Sequence, residues 1–152
     1  MNQNICTTPE QGKRLIACGV DPSTADMCYL YWDESGEQLS REEYLEIFNE
    51  SFLDGRIELV PKDFGDYDHS YSDDSPAWSL GRILEILPPR ILVNDAWYEC
   101  QLCRCVFGYE VRYHSEVFKD PFGCLCTNPI EGSVEAIEWL TEEKYKLNEI
   151  KQ

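Results

Sequence analysis

The stretch that most constrains the fold is a short apolar segment with its own start and stop signals, residues 75–89. Ser75 belongs to the residue types that cap helix N-termini, and Pro76 suits the first helical position. A helix does not continue through the Pro88-Pro89 pair that follows. These signals predict a helix from Ser75 to Leu87. At about 100° per residue, its apolar side chains form one core-facing stripe, made up of Ala77, Leu80, Ile83, Leu84 and Leu87.

Other local signals place helices and strands along the rest of the chain. Capping boxes predict helices that begin after Thr8 and after Ser40, and Asn128-Pro129 begins the last helix. Strand patterns cover residues 27–32, 57–60, 91–93, 97–103, 108–114 and 124–126. No linker or internal repeat separates these elements. We therefore predict one α+β domain over residues 1–152, with a small antiparallel sheet packed against three to four helices.

Charge is distributed unevenly along the chain. Thirteen basic and 29 acidic residues give a net charge of −16, and residues 33–74 alone hold fourteen acidic and three basic residues, or −11. Such a surface repels nucleic-acid phosphates and anionic lipid, which argues against both as direct ligands. It fits a basic protein partner, and it equally fits a surface that only keeps the protein in solution.

The cysteines indicate either reduced thiols or a metal site. The first residues show no secretory signal, and no apolar run approaches the ~20 residues of a membrane span, so we expect a cytoplasmic protein with no membrane association. In that compartment the eight cysteines stay reduced. A tetrahedral zinc site takes four ligands, and the candidates are Cys100, Cys103, Cys124 and Cys126. The alternative is that these thiols are small core residues and no cofactor is bound, which the missing second Cys-x-x-Cys favours.

No segment matches a catalytic motif such as a nucleophile elbow, a phosphate-binding glycine loop or His-Glu-x-x-His. His69 lies in an acidic loop, residues 63–74, and His114 lies on the polar side of a predicted strand. The loop also lacks the ligand spacing of a calcium site. An enzyme of an unrecognised class stays open as an alternative.

The acidic loop and the helix after it form the predicted contact surface. Trp78 and Arg82 lie on the helix face opposite the core stripe, and an exposed Trp is a residue type that anchors protein interfaces. The neighbouring carboxylates are Asp66, Asp68, Asp73 and Asp74. We predict that these residues meet a basic protein or a second copy of the chain. The alternative for Trp78 is burial in the core.

Three segments, residues 11–29, 76–88 and 136–143, resemble a family of small uncharacterised proteins from gut-bacterial genomes, prophages and mobile elements. Residues 33–74 and the cysteine-bearing strands depart from that family. The resemblance implies no activity, cofactor or catalytic residue. It implies an accessory protein of a mobile element, a context in which short acidic proteins bind and block host factors. We therefore predict a non-enzymatic acidic interaction or accessory protein.

Overall fold

The computed structural model of the chain describes residues 6–48, 56–63 and 74–150. This part of the chain contains four α-helices: α1 (Pro9–Ala17), α2 (Arg41–Phe48), α3 (Leu80–Ile86) and α4 (Pro129–Glu142). It also contains eight strands: β1 (Met27–Trp32), β2 (Gln38–Leu39), β3 (Arg56–Pro61), β4 (Pro76–Ala77), β5 (Arg90–Val93), β6 (Ala96–Cys105), β7 (Gly108–His114) and β8 (Phe122–Cys126). The predicted α+β class is confirmed. None of the described helices has the length and apolar character needed to cross a bilayer.

The strands form two antiparallel sheets. In the first sheet, β1 pairs with β2, β3 and β4. In the second sheet, β5, β6, β7 and β8 lie side by side in chain order. All three strands that pair with β1 lie before residue 78, whereas each of β5 to β8 pairs with the strand next to it in the chain. Asn94 and Asp95, which join β5 to β6, both have positive φ, as a two-residue type I′ turn requires.

Helix α4 covers one face of the second sheet and packs against α1 and α3. Its fully buried apolar side chains are Ile130, Val134, Ala136, Ile137 and Leu140. The approach to the sheet is close at Gly132, where a Cβ atom would lie 2.5 Å from Cys126 Sγ and 2.9 Å from Val111 Cγ2. The main hydrophobic core therefore lies between α4 and the second sheet.

Helix α3 begins four residues later than predicted. Its N-cap is Ser79, whose Oγ accepts a hydrogen bond of 3.2 Å from the backbone N–H of Arg82. Pro76–Ala77 is strand β4, and the Ser75 hydroxyl is hydrogen-bonded to the Tyr31 hydroxyl at 2.8 Å. Because β4 pairs with β1, its backbone does not form the first turn of a helix. The predicted core stripe also changes, since Ile86 is buried while Leu84 is 37% exposed.

The other three predicted helix starts are confirmed. Thr8 caps α1 in a capping box with Gln11. Ser40 and Glu43 form the same arrangement at the start of α2. At the start of α4, Asn128 Oδ1 accepts from the Ile130 N–H at 2.9 Å. Each of these caps joins residues that are two or three positions apart, which is why local sequence predicts them.

Candidate interaction surfaces

The four candidate zinc ligands project from both faces of the second sheet. Directly opposed residues of an antiparallel sheet lie on the same face. The register places Cys103 opposite Glu110, and Glu110 opposite Leu125, which is 68% exposed. Cys124 lies opposite Val111, which is fully buried under α4. Cys103 therefore projects away from the face that carries Cys124.

The odd spacing between Cys100 and Cys103 explains this separation. Side chains alternate faces along a strand, so residues three positions apart project from opposite faces. Cys100 lies opposite the buried Tyr113, on the face covered by α4. Within the part of the chain that the structure describes, no group of three or more His, Cys, Asp or Glu residues has the arrangement of a metal site. The structure does not bring the predicted ligands together.

The thiols of β8 are engaged in hydrogen bonds on the covered face. Cys124 Sγ lies 2.7 Å from Glu135 Oε2 on α4, and Cys126 Sγ lies 3.6 Å from the carbonyl oxygen of Tyr109. Burial raises the pKa of the Cys124 thiol to about 12, and the Glu135 carboxylate adds to this effect. Burial also raises the pKa of Cys126. At both positions these effects favour the thiol over the thiolate.

Trp78 belongs to the core, which corrects its prediction as a partner anchor. Its exposed fraction is 0%, and its indole N–H donates a hydrogen bond of 3.0 Å to Thr24 Oγ1. Its backbone N–H donates to Thr7 Oγ1, also at 3.0 Å. Trp78 precedes α3, so its direction follows from the extended backbone after β4 and not from helical periodicity.

Arg82 and Asp74, two of the predicted contact residues, are solvent-accessible, and each contacts a different residue. Arg82 is half-buried and forms an ion pair of 3.1 Å with Glu85. Asp74 is exposed, and its Oδ2 accepts a hydrogen bond of 3.1 Å from the backbone N–H of Arg41 at the start of α2. The remaining predicted contact residues, Asp66, Asp68 and Asp73, lie outside the described residues, as does His69.

Exposed carboxylates lie on α2, on the segment that precedes it and at Asp74, which accepts a hydrogen bond from the start of α2. We call this group the acidic surface, and its members are Glu34, Glu37, Glu42, Glu43, Glu46 and Asp74. Ile47 lies beside these carboxylates on the same helix and is 62% exposed. The first turn of α2 also borders an open hollow of about 350 Å³, which Leu45 lines together with polar side chains. The acidic surface therefore combines negative charge with accessible apolar groups.

Within the described ranges, the face of the second sheet opposite α4 carries exposed side chains and no described helix is seen to cover it; we call it the open face. Its outward side chains, followed from strand to strand through the register, are Arg90, Leu92, Trp97, Glu99, Gln101, Cys103, Cys105, Glu110, Arg112, His114 and Leu125. Leu92 and Trp97 are 47% and 53% exposed. The Arg90 guanidinium stacks over the Trp97 ring at 4.4 Å from its centroid.

Polar side chains in the middle of the open face bind one another. Arg112 donates to Gln101 Oε1 at 3.0 Å and forms an ion pair of 3.2 Å with Glu110. His114 is half-buried rather than exposed, and its Nδ1 lies 2.8 Å from Asp120 Oδ1. These contacts orient the polar groups along β7 and give the open face both signs of charge.

Exposed apolar side chains lie at both ends of the open face. Val106 and Phe107, in the β6–β7 turn, are 93% and 84% exposed. Val117 and Phe118, in the loop between β7 and β8, are 80% and 57% exposed. Seven of the ten exposed large hydrophobic residues in the described ranges belong to this sheet and its loops. Sequence reasoning missed this surface, although Val-Phe at a hairpin turn was a visible signal, since Gly, Asn and Asp are usual there.

A second hollow of about 350 Å³ lies between residues 19–24 and the segment 146–150. Its charged lining groups have partners nearby in sequence. Lys146 lies 3.7 Å from Glu149, and Asp21 Oδ1 accepts a hydrogen bond from the Ser23 N–H. A catalytic pocket brings acid, base and nucleophile toward one point. Asp21 instead completes a local turn, and Lys146 and Glu149 pair with each other at the surface, so the hollow does not favour the enzyme alternative.

Comparisons of the chain with protein-family models, with curated proteins and with solved structures found no match. The resemblance to small proteins of mobile elements therefore stays a prediction. A functional proposal for this chain depends on its own surfaces.

Proposed function

We propose that the chain is a non-enzymatic interaction protein whose acidic surface binds a basic protein partner. The observation that carries this proposal is the separation of charge along the chain. Residues 33–74 contribute −11, whereas residues 90–126 hold four basic and five acidic residues, or −1. Charge that served solubility alone would not need to be concentrated in one segment of the chain.

The chemistry of α2 supports this proposal. Glu42, Glu43 and Glu46 are exposed on one side of Ile47 on the same helix, so an apolar contact at Ile47 would have carboxylates along one edge. Protein interfaces combine an apolar centre with a polar rim in this way. A partner that presents Lys or Arg around an apolar pocket would match both components. Opposite charge would also accelerate the encounter, and salt would weaken that acceleration.

The predicted context adds the type of partner. If the chain is an accessory protein of a mobile element, the basic partner is a host protein. The acidic surface then competes with whichever anionic ligand the host protein normally binds. This part of the proposal depends on the resemblance described above.

Affinity capture with a triple variant tests the proposal. The chain is immobilised and exposed to a bacterial lysate at about 50 mM and about 300 mM NaCl. The variant E42Q/E43Q/E46Q removes three charges, and Gln at position 43 preserves the capping box with Ser40. The matched control, E116Q/E142Q/E143Q, removes three exposed charges elsewhere. Captured proteins are identified by mass spectrometry, purified and titrated against each variant.

The proposal expects one basic protein that binds the wild type and the control saturably and binds the triple variant at least about tenfold more weakly. Its affinity should fall as the salt concentration rises. Capture of nothing above background, or binding that the triple variant leaves unchanged, would overturn the proposal.

A further inference from the structure

We infer that the open face of the second sheet is a homodimer interface, and that its occupant is a second copy of this chain. This inference concerns a different surface from the acidic surface and does not depend on the proposed function. It is carried by the turn at residues 106–107, by the charge of the sheet and by the symmetry of its apolar ends.

The β6–β7 turn contains side chains that the fold does not require. The β5–β6 turn uses Asn94 and Asp95, residue types that readily adopt turn conformations. The β6–β7 turn instead uses Val106 and Phe107, which are almost completely exposed. Neither side chain contributes buried area to the described fold, and a Val at a turn is conformationally unfavourable. Burial against another molecule would account for both.

The charge of the open face favours a second copy over a basic partner. Two chains of net charge −16 repel each other, so they associate most readily where the local charge is near zero. Residues 90–126 have a net charge of −1. The open face carries Arg90 and Arg112 beside Glu99 and Glu110. Because both signs are present, the charges of the open face nearly cancel and the face does not repel a second copy as strongly as the rest of the chain does.

The distribution of apolar groups is compatible with twofold symmetry. Trp97 lies at one end of the open face, the end at which the loop with the exposed Phe118 joins the sheet, and Leu125 lies at the other end, at which the turn with Phe107 joins it. A twofold axis parallel to the strands places each apolar end against the same end of the other copy. An axis perpendicular to the strands, in the plane of the interface, places each end against the opposite one. Both arrangements match apolar with apolar groups and polar with polar groups.

The flat area of the sheet, about 440 Å², is roughly half of what one partner buries in a standard interface, so the loops at its two ends would supply the rest. Four strands at a spacing of about 4.8 Å span about 19 Å, and the seven residues of β7 extend about 23 Å. The relief of the side chains and the two protruding apolar loops add to this footprint. An interface of standard size buries about 800 Å² per partner. Two copies stacked face to face would form a β-sandwich with the sheets about 10 Å apart.

Sedimentation velocity over a range of protein concentrations tests the inference. A reductant is present throughout, so that disulfide bonds through the thiols of the open face do not create dimers. The variant F107N/L125T removes two exposed apolar side chains from one end of the face. The control I47Q/L84Q removes two exposed apolar side chains from α2 and α3. Each protein is measured at about 50 mM and about 500 mM NaCl.

We expect the wild type and the control to reach twice the chain mass at high concentration. F107N/L125T should weaken the dimer at least about tenfold. Added salt should leave the dimer unchanged or strengthen it, because screening reduces the repulsion between two acidic chains. Monomers under every condition, or a dimer that F107N/L125T does not weaken, would overturn the inference. These outcomes are independent of partner capture, which depends on Glu42, Glu43 and Glu46.

Discussion

The Asp26 carboxylate accepts two hydrogen bonds from Ser79. The backbone N–H donates to Oδ1 at 2.9 Å, and the hydroxyl donates to Oδ2 at 2.5 Å. The same hydroxyl oxygen accepts the hydrogen bond from the N–H of Arg82 that caps α3. A residue next to β1 therefore determines where α3 begins. This contact joins the first sheet to the helix that leads into the second sheet.

Replacement of Ser79 by Ala should lower the free energy of unfolding by about 1–2 kcal/mol. The substitution removes the cap of α3 and leaves Asp26 without the hydroxyl donor. Urea unfolding followed by circular dichroism measures the change. S35A is the matched control, since Ser35 lies in an exposed turn, and it should change stability by less than about 0.5 kcal/mol. Equal effects of the two substitutions would contradict the capping role.

Arg14 on α1 should give the protein a pH-dependent stability. Its guanidinium forms ion pairs with Glu131 and Glu138 of α4 at 2.7 and 2.6 Å. The hydrogen bonds from Arg14 hold the pKa of Glu131 below its usual 4.5. A carboxyl whose pKa is lowered by folding stabilises the folded state above its usual pKa. That contribution is lost as the pH falls through the lower, folded value.

We therefore expect R14M to be less stable than the wild type at pH 7 by about 1 kcal/mol, since these side chains are about one-third exposed. The difference should shrink between about pH 5 and about pH 3. Thermal unfolding across that range measures it. K13M is the control because Lys13 and Glu10 form a more exposed pair, and it should show little change at any pH. A difference that stays constant with pH would exclude the ionic contribution.

Trp78 and Trp97 offer a direct comparison between a core Trp and a surface Trp. W78F leaves a cavity and removes the N–H that donates to Thr24 Oγ1, so we expect a loss of about 2–3 kcal/mol. Trp97 is 53% exposed, and W97F should cost less than about 0.5 kcal/mol. Chemical denaturation of both variants measures these values. A destabilisation by W97F as large as that by W78F would contradict the assignment of Trp78 to the core.

The raised pKa of Cys124 should make its thiol slow to alkylate. At pH 8 we expect iodoacetamide to modify Cys124 about a hundredfold more slowly in the folded protein than in urea, because the thiolate is the reactive form. Peptide mass spectrometry measures the rate at this position. E135Q removes the neighbouring carboxylate and should accelerate labelling, whereas the distant E116Q should not. Fast labelling of the folded wild type would show that the thiol is accessible and ionised.

The sheet register predicts a negligible zinc content. Because Cys103 projects from the opposite face to Cys124, we expect the purified chain to carry less than about one-tenth of an equivalent of zinc. Elemental analysis after dialysis against zinc-free buffer measures this content. C103S should leave both the zinc content and the thermal stability nearly unchanged. The prediction would be wrong if the chain carried a full equivalent of zinc and C103S abolished it. That result would mean that the thiols of β6 and β8 lie on the same face of the sheet.

Local sequence by itself determined the helix starts at Thr8, Ser40 and Asn128, because each cap joins groups only a few residues apart. It also determined the covered face of β7, since Tyr109, Val111 and Tyr113 alternate with polar residues at the period of a strand. The concentration of negative charge in residues 33–74 was equally visible. These features depend on distances along the chain and not on what packs against it.

Tertiary structure alone decided between the two capping residues before α3. Ser75 and Ser79 are the same residue type, so either could cap the helix. The hydrogen bonds from Ser79 to Asp26, 53 positions away in the chain, favour Ser79 as the cap. The pairing of β4 with β1 then placed Trp78 in the core. The sheet register likewise separated Cys103 from Cys124 and placed Leu92, Trp97 and Leu125 together on the face opposite α4. These outcomes depend on contacts between distant segments, whose free energies local sequence does not encode.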